Sequence, residues 1–193
     1  GQTGQRILIL FAHPSPDRSE VNRPLAQASR NLPGVTLVDL YAEYPTLDIN
    51  IDHEQQRLLE HDIIIFMHPL YWYSTPAILK EWQDLVLEHG FAYGTGGTAL
   101  HGKILLDALS AGGPESAYCA VGYNHFPIAE LLRPLEQTAS LCGMTWLPPF
   151  VVHSVLPEGI AGYKNATDEE LQAEYAAIRA QSTPFFRRQN DAT

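Results

Sequence analysis

Cysteine, methionine and tryptophan are scarce in this chain of 193 residues, with two, two and three copies respectively. Two cysteines, Cys119 and Cys142, are too few for the disulfide framework of a small secreted domain. No apolar run reaches the roughly 18 residues that a membrane-spanning helix needs. We therefore expect a cytoplasmic protein with reduced thiols, forming one domain over residues 1–193 with a loose tail from about residue 183.

Positive charge is also in short supply, since 12 Lys and Arg stand against 22 Asp and Glu, for a formal net charge of −10. Such a chain would repel nucleic-acid phosphates, so we expect no nucleic-acid partner. Eight histidines are present, but none makes a His-x-x-x-His spacing, and we expect no metal site. The segment GTALHGK (97–103) imitates a phosphate-binding loop, yet Ile104 stands where such loops carry Ser or Thr.

Apolar runs and helical patterns alternate five times along the chain. The alternation predicts strands at 6–12, 34–41, 62–68, 103–113 and about 144–153, and helices at 19–32, 53–61, 76–89, about 127–142 and 167–181. Short connections between alternating elements favour a parallel sheet with helices on both faces. The predicted fold is α/β, a flavodoxin-like three-layer sandwich whose five-stranded parallel sheet has the order 2-1-3-4-5. Ligands of such sheets bind beyond the carboxyl ends of the strands.

Three loops follow the strands at that edge. The loop 13–22 leads into a helix N-terminus, whose free N–H groups suit a phosphate, although an ordinary capped loop would look similar. The loop HPLYWYSTP (68–76) places aromatic residues between two prolines, where a purely structural connection would not need them. The loop SAGGPESAY (110–118) has two glycines that allow close backbone approach to a ligand. Together they predict a pocket for a flat cofactor with one phosphate, flavin mononucleotide (FMN).

Several of these motifs resemble a known family. The segments AHPSPDRSEVN (12–22), HPLYWYSTPAILKEWQDLV (68–86), LHGK (100–103) and SAGGPESAY (110–118) are similar to the flavodoxin-like NAD(P)H:quinone oxidoreductases. Within that family, VDLYAEYP (38–45) and LRPLEQTASLCGM (132–144) resemble the ancillary proteins of glutathione-regulated potassium-efflux systems. The resemblance implies a homodimer that uses FMN, with FAD disfavoured, and that takes NAD(P)H and a quinone as substrates.

The resemblance also assigns roles to residues. It implies that the flavin is held by three groups of residues: His13 with Ser19, Glu20, Val21 and Asn22 for the phosphate, and Leu70, Tyr71, Trp72 and Tyr73, together with Ser110, Ala111, Gly112 and Gly113, for the ring. Tyr118 matches a family tyrosine beside the flavin. Mammalian relatives carry a histidine six residues after that tyrosine; here Asn124 takes the position, and the adjacent His125 is the predicted second catalytic residue.

Three functions follow from this reading. The first is a flavin-dependent NAD(P)H:quinone oxidoreductase with two-electron hydride transfer by a ping-pong mechanism, linked to regulation of potassium efflux. The alternative is a regulatory subunit of a membrane potassium antiporter with little catalytic role, docked on the cytoplasmic side of the inner membrane. A flavodoxin-type electron carrier is disfavoured, because the short Ser/Thr-rich phosphate loop of flavodoxins is replaced by a longer loop containing His13.

Overall fold

The computed structural model describes residues 5–14 and 32–153 of the chain. Its strands are β1 (Ile7–Phe11), β2 (Val35–Asp39), β3 (Ile63–Pro69), β4 (Ile104–Ser110), β5 (Thr145–Trp146) and β6 (Phe150–Val152). Its helices are α1 (Leu40–Glu43), α2 (Ile51–Leu59), α3 (Ala77–Val86), α4 (Ile128–Leu131) and α5 (Arg133–Leu141), with a 3₁₀ turn at Glu115–Ala117. The helices predicted at 19–32 and 167–181 lie outside the described residues.

All strands of the sheet run parallel, in the order β2-β1-β3-β4-β5, and β6 also pairs with β4. The predicted flavodoxin-like order is therefore confirmed. β1 and β3 are buried along their whole length, which explains why both read as continuous apolar runs instead of alternating patterns. The strand order reverses between β1 and β3, and ligands of sheets with this order bind beyond the carboxyl ends of the strands at that point.

Side chains alternate between the two faces of the sheet. One face, with Leu10, Phe66 and Leu105, packs against α2, α3 and α5 through residues such as Trp82. The other face forms a second apolar cluster around Ile9 and Ile65, both almost fully buried. Covered faces on both sides fix the register of the strands, because a shift by one residue would exchange the two sets of side chains.

The predicted fifth strand is split in two. β5 pairs with Ile104 and Leu105, whereas β6 pairs with the far end of β4 after one extra residue in the register. Pro148 and Pro149 lie between the two pieces and have no N–H to donate to the ladder. The last strand is thus interrupted, and β6 lies at the same edge of the sheet as the three loops predicted to bind the ligand.

The helix predicted at 127–142 is likewise divided, into α4 and α5. Pro134 lies in the first turn of α5, where a missing N–H is tolerated, whereas its ring would clash within one continuous helix. In the part of the chain that the structure describes, no helix combines the length and the apolar character needed to cross a bilayer.

Candidate functional site

The aromatic segment after β3 forms a tight turn. Tyr71 and Ser74 exchange both backbone hydrogen bonds, each 2.9 Å long. The two central residues have positive φ, 46° at Trp72 and 63° at Tyr73, which is the pattern of a type I′ turn. Such turns normally carry Asn or Gly, and a left-handed non-glycine residue costs roughly 1–2 kcal/mol. The chain therefore keeps two bulky aromatic residues where backbone sterics oppose them.

The turn presents its rings to solvent. Trp72 is 93% exposed and Tyr73 is 47% exposed, whereas Leu70 and Tyr71 at its base are half-buried. Exposed aromatic residues of this kind occur at binding surfaces, because a folded chain gains nothing from leaving an indole in water. Burial, with a smaller contribution from the charge of Tyr41, raises the pKa of Tyr71, so that phenol stays protonated at neutral pH.

Backbone hydrogen bonds join the three strand-end loops. The Ala12 N–H donates to the Met67 carbonyl over 2.9 Å, and the Leu70 N–H donates to the Ser110 carbonyl over 2.7 Å. The first bond joins the residue after β1 to β3, and the second joins the residue after β3 to the last residue of β4. The structure thus brings His13, Leu70–Tyr73 and Ser110–Gly113 to one edge of the sheet.

The predicted residues differ in accessibility at this edge. His13 is 3% exposed and its ring stacks on Phe11, with centroids 6.2 Å apart. Ala111 is buried, Ser110 and Gly113 are half-buried, and Gly112 is exposed. The four residues predicted to bind phosphate, Ser19, Glu20, Val21 and Asn22, lie outside the described residues.

Tyr118 lies beside the glycine segment, just after the 3₁₀ turn. Burial raises the pKa of Tyr118, the neighbouring Tyr73 adds to the effect, and a hydrogen bond from the Gly113 backbone opposes it. The net result is a phenol that keeps its proton at neutral pH. Since its oxygen accepts from Gly113, its O–H remains able to donate to a bound group.

Asn124 and His125, six and seven residues after Tyr118, differ in their contacts. The Tyr73 hydroxyl donates to the Asn124 side-chain oxygen over 3.2 Å, which ties the aromatic turn to the segment 114–126. His125 is exposed and has a positive φ of 65°. Within the described residues it forms no hydrogen bond or ring contact with Tyr118.

A buried ion pair lies just below the site, and sequence reasoning missed it. His68 Nε2 is 2.7 Å from Asp107 Oδ1, and both side chains are fully buried. The His68 Nδ1–H donates to the Pro69 carbonyl over 2.8 Å, so both ring nitrogens face acceptors and the imidazole holds two protons. Burial lowers the pKa of His68, but the Asp107 charge and both hydrogen bonds outweigh it and raise that pKa.

This pair bears directly on the aromatic turn. The Pro69–Leu70 peptide is held by His68 at its carbonyl and by Ser110 at its N–H. Asp107 is the charged residue of the otherwise largely apolar strand ILLDALS, and this is the feature of the sequence that could have indicated a buried ion pair. Its partner could not be read from sequence, because the pairing depends on the register of β3 against β4.

Comparison with known proteins finds similar chains and similar folds. A curated relative, the glutathione-regulated potassium-efflux system ancillary protein KefG of Pectobacterium atrosepticum, is 53% identical over 77% of this chain and 81% of its own. A solved structure described as a thermophilic tryptophan halogenase from "Streptomycin violaceusniger" is 47% identical, covers 91% of this chain and 97% of its own, and has a TM-score of 0.77.

Two further solved structures carry flavin-related descriptions. General stress protein 14 of Treponema denticola, in complex with FMN, is 34% identical over 91% of this chain and 99% of its own, with a TM-score of 0.73. An NADPH-quinone reductase from P. pentosaceus is 35% identical over 90% of this chain and 95% of its own, with a TM-score of 0.72. The family model for the flavodoxin-like fold matches residues 5–181. The chain belongs to the flavodoxin-like fold family.

Proposed function

We propose that this protein is an FMN-dependent NAD(P)H:quinone oxidoreductase. The observation that carries the proposal is the strained aromatic turn, which holds Trp72 in water at the ligand-binding edge of the sheet. Each left-handed aromatic residue costs roughly 1–2 kcal/mol of folding free energy. Stacking of the two rings on a flat ligand would offset that cost when the ligand binds. Relatives described as an FMN complex and as an NADPH-quinone reductase support the same ligand class.

Each loop has a role in this proposal. Backbone groups of Leu70–Tyr73 and Ser110–Gly113 hold the flavin ring, and the half-buried Gly113 lets the ring approach the main chain closely. His13 and the segment Ser19–Asn22 hold the phosphate. FMN is preferred over FAD because the similar general stress protein 14 of Treponema denticola is described in complex with FMN. When bound, FMN supplies the chemistry, exchanging hydride with NAD(P)H and then with a quinone in alternate half-reactions.

The protein's own contribution to the chemistry is a positioned proton donor. The neutral Tyr118 phenol donates to charge that develops in its neighbourhood, while its oxygen is anchored on Gly113. His125, being exposed, is proposed to act as the outer proton source of the site. Trp72 and Tyr73 limit access of water to the face on which substrates bind.

The decisive experiment loads purified protein with FMN and measures anaerobic reduction by NADH and by NADPH, followed by oxidation with several quinones. Parallel-line kinetics with both substrates varied are expected for the ping-pong scheme. Protein that binds FMN and exchanges electrons without oxidising NAD(P)H would point instead to an electron carrier. Incubation with tryptophan and halide, analysed by mass spectrometry, is expected to give no halogenated product.

A second role is supported by the similarity to the potassium-efflux ancillary protein, 53% identical over 148 residues. We propose that the protein also docks on a potassium-efflux antiporter at the cytoplasmic side of the inner membrane. Anionic lipids would repel a chain of net charge −10, so attachment requires a protein partner. Potassium efflux should fall when the gene is deleted, and antiporter should co-purify; unchanged efflux without co-purification contradicts this role.

We also propose a homodimer. Several large apolar side chains near the turn are highly exposed: Val121 at 97%, Tyr123 at 87% and Phe126 at 54%. A second copy that covers them would also close the site against water. Light scattering of the FMN-bound protein is expected to give twice the 21.5 kDa chain mass. A fully active species with the mass of one chain contradicts the proposal.

A further inference from the structure

A second histidine, His153, approaches Tyr118 from a different direction than His125. It follows β6 directly, and the kink at Pro148 and Pro149 brings that strand to the carboxyl edge of β4. Its ring lies 5.6 Å from the Tyr118 ring between centroids, tilted by 45°. Its side chain is half-buried, as is that of Tyr118.

The same two side chains approach one residue, Gly113, on either side of its α-carbon. The Gly113 backbone lies against the Tyr118 ring and opposes the rise in the pKa of its phenol, and the Gly113 carbonyl faces His153 Nδ1 at 3.4 Å. A carbonyl only accepts, so this contact requires the hydrogen of the imidazole on Nδ1. Gly113 therefore lies between the two side chains, an arrangement that we call the Gly113 clamp, and the tautomer of His153 follows from its contact with the carbonyl.

Asn124 and His125, the other two polar residues predicted near Tyr118, form no hydrogen bond with its phenol in the described part of the chain. Asn124 accepts from Tyr73, and the exposed His125 has no contact with the phenol among the described residues. In the described part of the chain, His153 is thus the ionisable side chain whose ring contacts the Tyr118 ring, and it does so next to Gly113.

We propose that His153 is the positioning residue of this site: through the Gly113 peptide and its contact with the Tyr118 ring, it fixes the direction in which the Tyr118 hydroxyl donates. This inference rests on the proposed function for its catalytic meaning. The contacts of His153 with Gly113 and Tyr118 do not depend on the proposed function, because they form without any bound cofactor. A small misdirection of a catalytic group can lower a rate by orders of magnitude, so the loss on removing one such support should be measurable.

The test compares His153→Phe, which keeps a ring but loses the Nδ1–H, with His153→Asn, which keeps a donor at that position. The matched control is His53→Asn on the exposed side of α2. Flavin reduction by NAD(P)H should slow about tenfold in His153→Phe and recover to within about twofold in His153→Asn. FMN affinity, measured by calorimetry, should change by less than about threefold in all three variants.

The coupling is tested in the Tyr118→Phe background. If His153 acts through the phenol, adding His153→Phe there causes no further loss of rate. An equal loss in both backgrounds, or no loss in either, overturns the inference. If His153→Phe fails to fold, His153→Ala takes its place.

A readout without cofactor separates this inference from the proposed function. In the apo protein, the Gly113 amide resonance should shift in His153→Phe and stay near its native position in His153→Asn and His53→Asn. An unmoved Gly113 resonance in His153→Phe overturns the clamp. Wild-type protein that binds no FMN would overturn the proposed function while leaving this measurement valid.

Discussion

Single residues decide how the edge of the sheet is held, and the buried His68–Asp107 pair is the clearest case. Its atoms are 2.7 Å apart with no solvent access, and Asp107 Oδ2 has no hydrogen-bond partner within the described residues. A buried pair of this kind gives little net stability, but removing one partner leaves a charge in an apolar interior. We expect Asp107→Asn to lower the free energy of unfolding by about 3 kcal/mol, measured by urea denaturation at pH 7.

The pair also predicts a dependence of stability on pH. The folded-state pKa of His68 is raised, so its contribution is complete below the unfolded value of about 6.5 and is lost as the pH rises through the folded value. In Asp107→Asn the Asp107 charge is lost, so burial, opposed by the hydrogen bond to the Pro69 carbonyl, should lower the pKa of His68 and reverse the slope. The difference in unfolding free energy between the two proteins should shrink from pH 6 to pH 9; a constant difference contradicts an ionised pair.

At the same scale, Tyr118 is predicted to act on rate and not on cofactor binding. Its phenol stays protonated and its oxygen is anchored on Gly113. Preorganised donors are often worth about 3 kcal/mol, and partial exposure should reduce that value here. Tyr118→Phe is expected to slow flavin reduction by about tenfold in stopped-flow measurements. Calorimetry should show FMN affinity within about twofold of wild type; an unchanged reduction rate removes Tyr118 from the mechanism.

Among the elements, the turn Tyr71–Ser74 is expected to lower the stability of the fold while it strengthens ligand binding. Positive φ at Trp72 and Tyr73 opposes folding, and glycine removes that cost. We expect Tyr73→Gly to raise the free energy of unfolding by up to about 1 kcal/mol while it weakens FMN binding and quinone turnover. Leu47→Gly, at another left-handed residue that is not part of the predicted site, is the matched control and should raise stability without affecting turnover. Equal FMN affinity in Tyr73→Gly and wild type would mean that the turn is not a ligand wall.

Trp72 has a separate prediction because it makes almost no contact with the rest of the described chain. With 93% of its surface exposed, Trp72→Ala should change the unfolding free energy by less than about 0.5 kcal/mol. The same variant should lose quinone reduction by tenfold or about that order, since a stacking surface is gone. Steady-state constants equal to wild type on several quinones would leave the ring without a role in the site.

Elements were predictable from the sequence where one physical signal dominated. The buried runs ILILF and IIIFMHP gave β1 and β3 to within one residue, because a strand covered on both faces is apolar throughout. Helix α1 and the split of the fifth strand were missed, although the Pro148–Pro149 pair that splits the strand is plain in the sequence. The pairs His68–Asp107 and Tyr118–His153 join residues 39 and 35 positions apart, and only the register of the folded sheet brings them together.

The whole molecule should respond to its cofactor as one cooperative unit. Ligand at 100 times its dissociation constant stabilises the folded state by about 2.7 kcal/mol, which for a domain of this size corresponds to roughly 6–10 °C in melting temperature. We expect that shift with FMN and a clearly smaller one with riboflavin, which lacks the phosphate proposed to bind at His13 and Ser19–Asn22. Equal shifts would contradict the phosphate pocket, and no shift with FMN, FAD or riboflavin would contradict the flavin site.

The three tryptophans occupy different environments, with the half-buried Trp146 between the extremes of Trp72 and Trp82, so the protein carries its own optical reporters. Trp72 is almost entirely in water, whereas Trp82 is 1% exposed, packs edge-on against Phe66 and donates to the Glu54 carboxylate. Trp72 at the ligand edge therefore contributes most at the red end of the emission spectrum, Trp82 in the core contributes most at the blue end, and Trp146 contributes between them. Quenching confined to the red component would report occupancy, and a red shift of the blue component would report unfolding. A single unlabelled sample could thus follow both processes at once.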